Sequence, residues 1–86
     1  MNLIFHKNFK RCYKKLRVGE QKKCDERIML FVENPFDPLL NNHALSGKWR
    51  HYRSINITGD VRALYEMIGA DTAFFILVDI HSNLYR

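Results

Sequence analysis

The sequence predicts an α+β domain: a helical hairpin packed on a small, mainly antiparallel sheet. Three observations predict it. Apolar residues recur at helical spacing through the first third of the chain. The second half carries β-branched and aromatic runs separated by two Gly-Asp or Gly-Ala-Asp turns. An irregular stretch rich in Pro and Asn, Asn34 to Asn42, divides these regions. The order reads β-α-α-β-β-β, a single domain over residues 1–86.

Asn2 to Phe5 is short and apolar and reads as a first strand. A helix follows from about His6 to Arg17, in which Phe5, Phe9, Cys12, Tyr13 and Leu16 fall on one stripe. Val18-Gly19 is expected to break it, with Gly19 as the C-terminal cap. A second helix runs from about Glu20 to Glu33, with Cys24, Ile28, Phe31 and Val32 as its buried stripe. Asn34-Pro35 stops it, because a proline disfavours helix at the preceding residue. Phe36, Leu39 and Leu40 are expected to tack the connection onto the body. Strands are expected near Lys48–Ile57, Val61–Ile68 and Ala73–Ile80. The first two are joined at Thr58-Gly59-Asp60, with Gly59 at positive φ and Asp60 accepting local N–H groups. The last, apolar on both faces, reads as an interior strand covered on both sides.

Nearly half the residues are apolar (47%), which fits a folded domain and not a disordered one. Fourteen Lys and Arg against nine Asp and Glu give a net charge of +5. That balance favours a polyanionic partner, nucleic acid before an anionic membrane surface. No apolar run approaches the ~20 residues of a membrane span, and the N-terminus is charged too early for a secretory signal. A cytoplasmic location without membrane contact is the expectation. Cys12 and Cys24 lie in no metal-ligand spacing, so neither a metal site nor any other cofactor is expected. Both read as reduced core thiols.

The residues suited to chemistry cluster in the second half. Lys48, Arg50, His51 and Arg53 interleave with Trp49 and Tyr52, a pattern suited to gripping a phosphodiester backbone. Trp49 itself reads as packing. Histidine titrates near neutrality and can serve as acid or base. Arginine cannot give up its proton but forks onto phosphate. His81 follows an apolar strand among small and polar residues and is the candidate general acid or base. The bland reading is a surface histidine at a strand end. His43 fits either an acid/base role or a loop histidine bonded to backbone. Asp60 fits a turn residue, a partner orienting a histidine, or a base. Arg53 and Arg62 flank the turn and are candidates for the scissile phosphate, or for pairing with Asp60 or Glu66. Tyr85 can stack on a base or pack against the sheet.

The string from His43 to Asp60, HALSGKWRHYRSINITGD, and the ending Ile80-His81-Ser82-Asn83-Leu84-Tyr85 resemble the RelE/ParE superfamily of type II toxin–antitoxin toxins, its YafQ-like branch in particular. The resemblance covers essentially the whole chain and implies the RelE-like fold. It implies a ribosome-dependent, metal-independent endoribonuclease cutting messenger RNA in the decoding site. It also implies a cognate antitoxin that silences the enzyme, and operator DNA as a target of the toxin–antitoxin complex. By resemblance, His43, Asp60, His81 and Tyr85 match functional positions of the family. Asn56 stands where a histidine is common, Val61 where a tryptophan is, and Leu77 where an arginine occurs. Arg53 or Arg62 is then expected to compensate. A gyrase-inhibiting ParE-like toxin and a non-catalytic nucleic-acid-binding component are the competing readings.

Overall fold

The computed structural model describes residues 1–80. Two helices cover one face of a five-stranded sheet ordered β1-β5-β4-β3-β2. The strands are β1 (Asn2–Phe5), β2 (His43–Ala44), β3 (Arg53–Asn56), β4 (Val61–Ile68) and β5 (Thr72–Ile80). β1 joins β5 in parallel; the other pairings are antiparallel. β5, expected to be interior, is flanked by β1 and β4. Its outer-face residues Phe74, Ile76 and Leu77 are only half-buried, so its second face is less completely covered than expected.

α1 spans Lys7–Lys15 and α2 spans Val18–Glu33. His6 caps α1: its Nδ1 accepts the Asn8 N–H at 3.0 Å. Gly19 does not cap α1, as expected from the sequence, but lies in the first turn of α2. Glu20 explains the difference: its Oε1 accepts the Arg17 N–H at 3.0 Å, starting α2 before the glycine. Phe9 from α1 and Phe31 from α2 meet Phe75 at ring-centroid distances of 5.8 and 5.4 Å, and Phe31 meets Tyr65 at 4.7 Å. These rings join the Ile55–Ala63–Val78 row in the core. Cys24 is buried there; Cys12 is only half-buried. Val32 lies outside the buried stripe and is exposed, as are Phe36 and Leu39; Leu40 alone of the connection is fully buried. Among the described residues no helix is long and apolar enough to cross a membrane.

Three further expectations are corrected. The basic-aromatic stretch is not strand: Gly47–Trp49 is a 3₁₀ turn, and β3 begins only at Arg53. Lys48, Arg50 and His51 therefore sit on a loop. Gly47, at φ +64°, turns the chain where a side chain would be strained. The β3–β4 turn needs no positive φ at Gly59. It is closed instead by Thr58, whose Oγ1 accepts the N–H groups of Asp60 and Val61 at 3.2 and 3.0 Å, the role expected of Asp60. β2 is a two-residue strand additional to those expected from the sequence; its pairing to β3 places His43 opposite Ser54.

A register shift between β4 and β5 has a larger consequence. Leu64 faces Leu77 but Tyr65 faces Phe75, so Ile76 is an extra residue in β5. That bulge lets Phe75 and Val78, three residues apart, both point into the core.

Candidate functional site

Residues directly opposite one another across paired strands share a face, and alternate residues along a strand do too. The face under the helices takes Arg53, Tyr65 and Phe75 in one row and Ile55, Ala63 and Val78 in the next. The other face takes His43, Ser54, Leu64 and Leu77 in one row and Asn56, Arg62 and Asp79 in another. The structure therefore separates the two candidate arginines. Arg62 lies on the helix-free face and Arg53 on the helix-covered one.

Arg53 is occupied. Its Nε donates to Asn42 Oδ1 at 2.8 Å, and its guanidinium lies 5.4 Å from the centre of the Phe36 ring. Asn42 in turn donates to Tyr65 Oη at 2.7 Å and to the Pro35 carbonyl at 2.9 Å. This network ties the 34–42 connection to the sheet. Of the two candidates for the scissile phosphate, only Arg62 shares the helix-free face with His43, because residues 53 and 62 fall on opposite sides of the pleat. Asn42, absent from the sequence expectations, is the centre of that tie; only tertiary structure shows it.

Arg62 is held differently. Its Nη1 donates to the carbonyls of Thr58 and Gly59, each at 2.9 Å, and more loosely to Val61 at 3.3 Å. These bonds pin the guanidinium beside the turn. They use one of its nitrogens, leaving the fork's other donors for an anion. Asp60 is exposed at the crest of the same turn. β5 ends here too: Asp79 is opposite Arg62 and Ile80 opposite Val61. His81 and Tyr85 lie outside the described residues.

His43 is exposed on the same face, its Nδ1 2.8 Å from the Asn41 carbonyl. From the strand spacing of ~4.8 Å and rise of ~3.4 Å, its Cα is about 12 Å from that of Arg62. Between them lie two polar atoms that the sequence did not single out. Among the described residues, Ser54 Oγ and Asn56 Oδ1 are buried and without hydrogen-bond partners. Their i, i+2 spacing on β3 was the available signal. On the loop, Lys48 stands 5.8 Å from the Trp49 ring, which meets Tyr52 edge-on, and Arg50 bonds weakly to the Gly47 carbonyl. His51 is exposed. Among the described residues no three His, Cys, Asp or Glu side chains gather as a metal site would require.

A second feature lies between the helices. A groove of about 560 Å³ is lined by Phe5, Phe9, Tyr13, Ile28 and Met29, with Lys10, Lys14 and Asp25 at its rim. Tyr13 donates its hydroxyl to Asp25 at 2.9 Å, and that bond pushes the phenol above its ordinary range.

No family model and no curated protein matches the chain. Solved structures do. A copper-bound mutant toxin from Helicobacter pylori is 28% identical, with 99% of each chain covered and a TM-score of 0.80. YafQ from Escherichia coli superposes at a TM-score of 0.83 and 17% identity, over 99% of this chain and 98% of that one. The toxin in the Escherichia coli DinJ–YafQ toxin–antitoxin complex gives 0.79 at 17% identity, over 99% and 97%. Two helices on a five-stranded mixed sheet, matched over nearly the full length of each of these, place the chain in the fold group of the RelE/YafQ/YoeB/ParE-type toxins.

Proposed function

We propose that the chain is the toxin of a toxin–antitoxin pair and acts as a ribosome-dependent endoribonuclease on messenger RNA. The observation that carries this reading is the pinned guanidinium of Arg62. It sits on the helix-free sheet face, at the end of the sheet from which Ile80 leads covalently into His81. Cleavage needs no metal in this scheme. A base takes the proton of a ribose 2′-OH, the alkoxide attacks the adjacent phosphorus, and an acid protonates the departing 5′-oxygen. The products are a cyclic phosphate and a free 5′-hydroxyl. Arg62 stabilises the charge on the phosphate oxygens. His81 supplies one proton-transfer step; His43 or Asp60 is the candidate for the other. Tyr85 stacks on a base, and Lys48, Arg50 and His51 on the adjoining loop hold the backbone without sequence preference.

The partner that silences the enzyme is an antitoxin, whose apolar segment fits the groove between α1 and α2. Lys10 and Lys14 at the rim match acidic side chains on that segment. The pair together, not the toxin alone, binds operator DNA. Translation in the cytoplasm is where such an enzyme meets its substrate.

The test is induced expression followed by primer extension on a translated messenger, for the wild type and for His81→Ala and Arg62→Gln. Cuts within translated codons, lost in both variants, are expected. Growth arrest with intact messengers and inhibited gyrase would replace this reading with the ParE-like one.

A further inference from the structure

Between α2 and the edge of β3 lies a pocket of about 360 Å³ that the scheme above leaves unused. Lys23 and Arg27, one turn apart on α2, line one side, and the chain from Asn56 to Gly59 forms the other. No carboxylate lines it, whereas the groove between the helices includes Asp25 and a smaller cavity near β5 includes Glu20 and Asp79. Arg27 is half-buried and, among the described residues, its side chain makes neither a hydrogen bond nor an ion pair. Among the described residues Lys23 pairs only with Glu26, at 3.6 Å between exposed side chains, a contact readily exchanged for another anion. A partly desolvated guanidinium without an acceptor is completed by a bidentate oxyanion.

The backbone adds to this. β2 covers β3 only at Arg53 and Ser54. The Ile57 N–H donates to the Val61 carbonyl at 2.9 Å, which makes 57 and 61 a hydrogen-bonded pair. The neighbouring pair, Asn56 with Arg62, is then a non-bonded one, and the N–H and C=O of Asn56 point outward from the hairpin along the pocket side. Thr58 and Gly59 belong to both places: they line this pocket, and their carbonyls hold Arg62. The turn thus has Arg62 on one flank and Lys23 with Arg27 on the other. The exposed carboxylates of Asp60 on the crest and Glu26 on α2 are the opposing charges.

We propose that Lys23 and Arg27 seat a backbone phosphate of the RNA strand whose scissile phosphate lies at Arg62, so that the strand crosses the Thr58-Gly59-Asp60 turn. This rests on the nuclease reading of Arg62. The seat reads charge and not sequence.

The experiment measures binding of a fluorescent 2′-O-methyl RNA oligonucleotide, which has no 2′-OH to react, across a series of KCl concentrations. The proteins are the wild type, Lys23→Gln/Arg27→Gln, and Lys7→Gln/Arg11→Gln, which removes equal charge from exposed positions of α1. Each phosphate contact on single-stranded RNA contributes a salt slope of about 0.7. Loss of the one seated phosphate flattens the slope by about 0.7 and weakens binding roughly fivefold at 0.1 M salt. The α1 variant keeps the wild-type slope. An unchanged slope in the α2 variant, or equal flattening in both, overturns the seat while leaving Arg62 in its role. Failure of the wild type to bind RNA at all overturns both. A thermal melt of each variant establishes that it is folded.

Discussion

Substituting the two hairpin arginines separately, Arg53→Gln and Arg62→Gln, tests the face assignment most directly. Arg53 donates to Asn42 Oδ1 at 2.8 Å and lies over the Phe36 ring. A hydrogen bond from a charged donor contributes about 1.5–3 kcal/mol when buried, less in this half-exposed setting. The ring contact adds about 0.5–1 kcal/mol. Together they give about 2 kcal/mol of lost stability. For a domain of this size that lowers the thermal midpoint by roughly 8–16 °C. The Arg62 variant loses only bonds to turn carbonyls at the surface, about 1 kcal/mol. On cleavage the order reverses. Removing a charge-stabilising donor costs about 10²–10³ in kcat, so Arg62→Gln is expected to lose at least 100-fold and Arg53→Gln less than threefold. Paired measurements of urea unfolding and ribosome-dependent cleavage read both effects. An Arg53 variant with normal stability and abolished cleavage would refute the placement of residue 53 on the structural side of the sheet.

Burial and the neighbouring Asp25 push the Cys24 thiol up to about 12, so the folded chain holds that proton where the unfolded chain releases it. The sign follows: this contribution is complete below pH ~9 and is lost as pH rises toward 12, at up to about 1.4 kcal/mol per pH unit. Urea unfolding of the wild type should therefore fall more steeply between pH 9 and 11 than that of Cys24→Ala; parallel curves would contradict it. Glycine substitutions check the turns: Gly69→Ala, at φ +68°, is expected to cost about 1 kcal/mol in chemical denaturation. Gly19→Ala, inside α2 with open space around it, should gain about 0.5–1 kcal/mol, and a loss there would return Gly19 to the role of a cap. Met29 is 66% exposed on the groove, so Met29→Asp should leave the melting temperature within a few degrees. The same change should weaken antitoxin binding at least tenfold by calorimetry. Undiminished affinity would move the antitoxin elsewhere.

Periodicity alone determined the two helices, the two long strands β4 and β5 and the interior place of β5, because those signals are local: one apolar stripe per helix, and a run of Ala73 to Val78 that only an interior strand accommodates. The net charge of +5 favours a polyanionic partner, and the proposed function builds on that expectation. What the sequence misassigned depends on single side chains competing for backbone groups. Glu20 started a helix ahead of Gly19, and Thr58 took the turn contacts expected of Asp60. The stretch from Lys48 to Tyr52 looked like strand because Trp49 and Tyr52 favour strands, yet the left-handed Gly47 ahead of it turns the chain into a loop. The division of labour between Arg53 and Arg62 belonged to tertiary structure. A pleated strand alternates its faces at every residue, but which face the helices cover is fixed only when Phe9, Phe31, Tyr65 and Phe75 pack together.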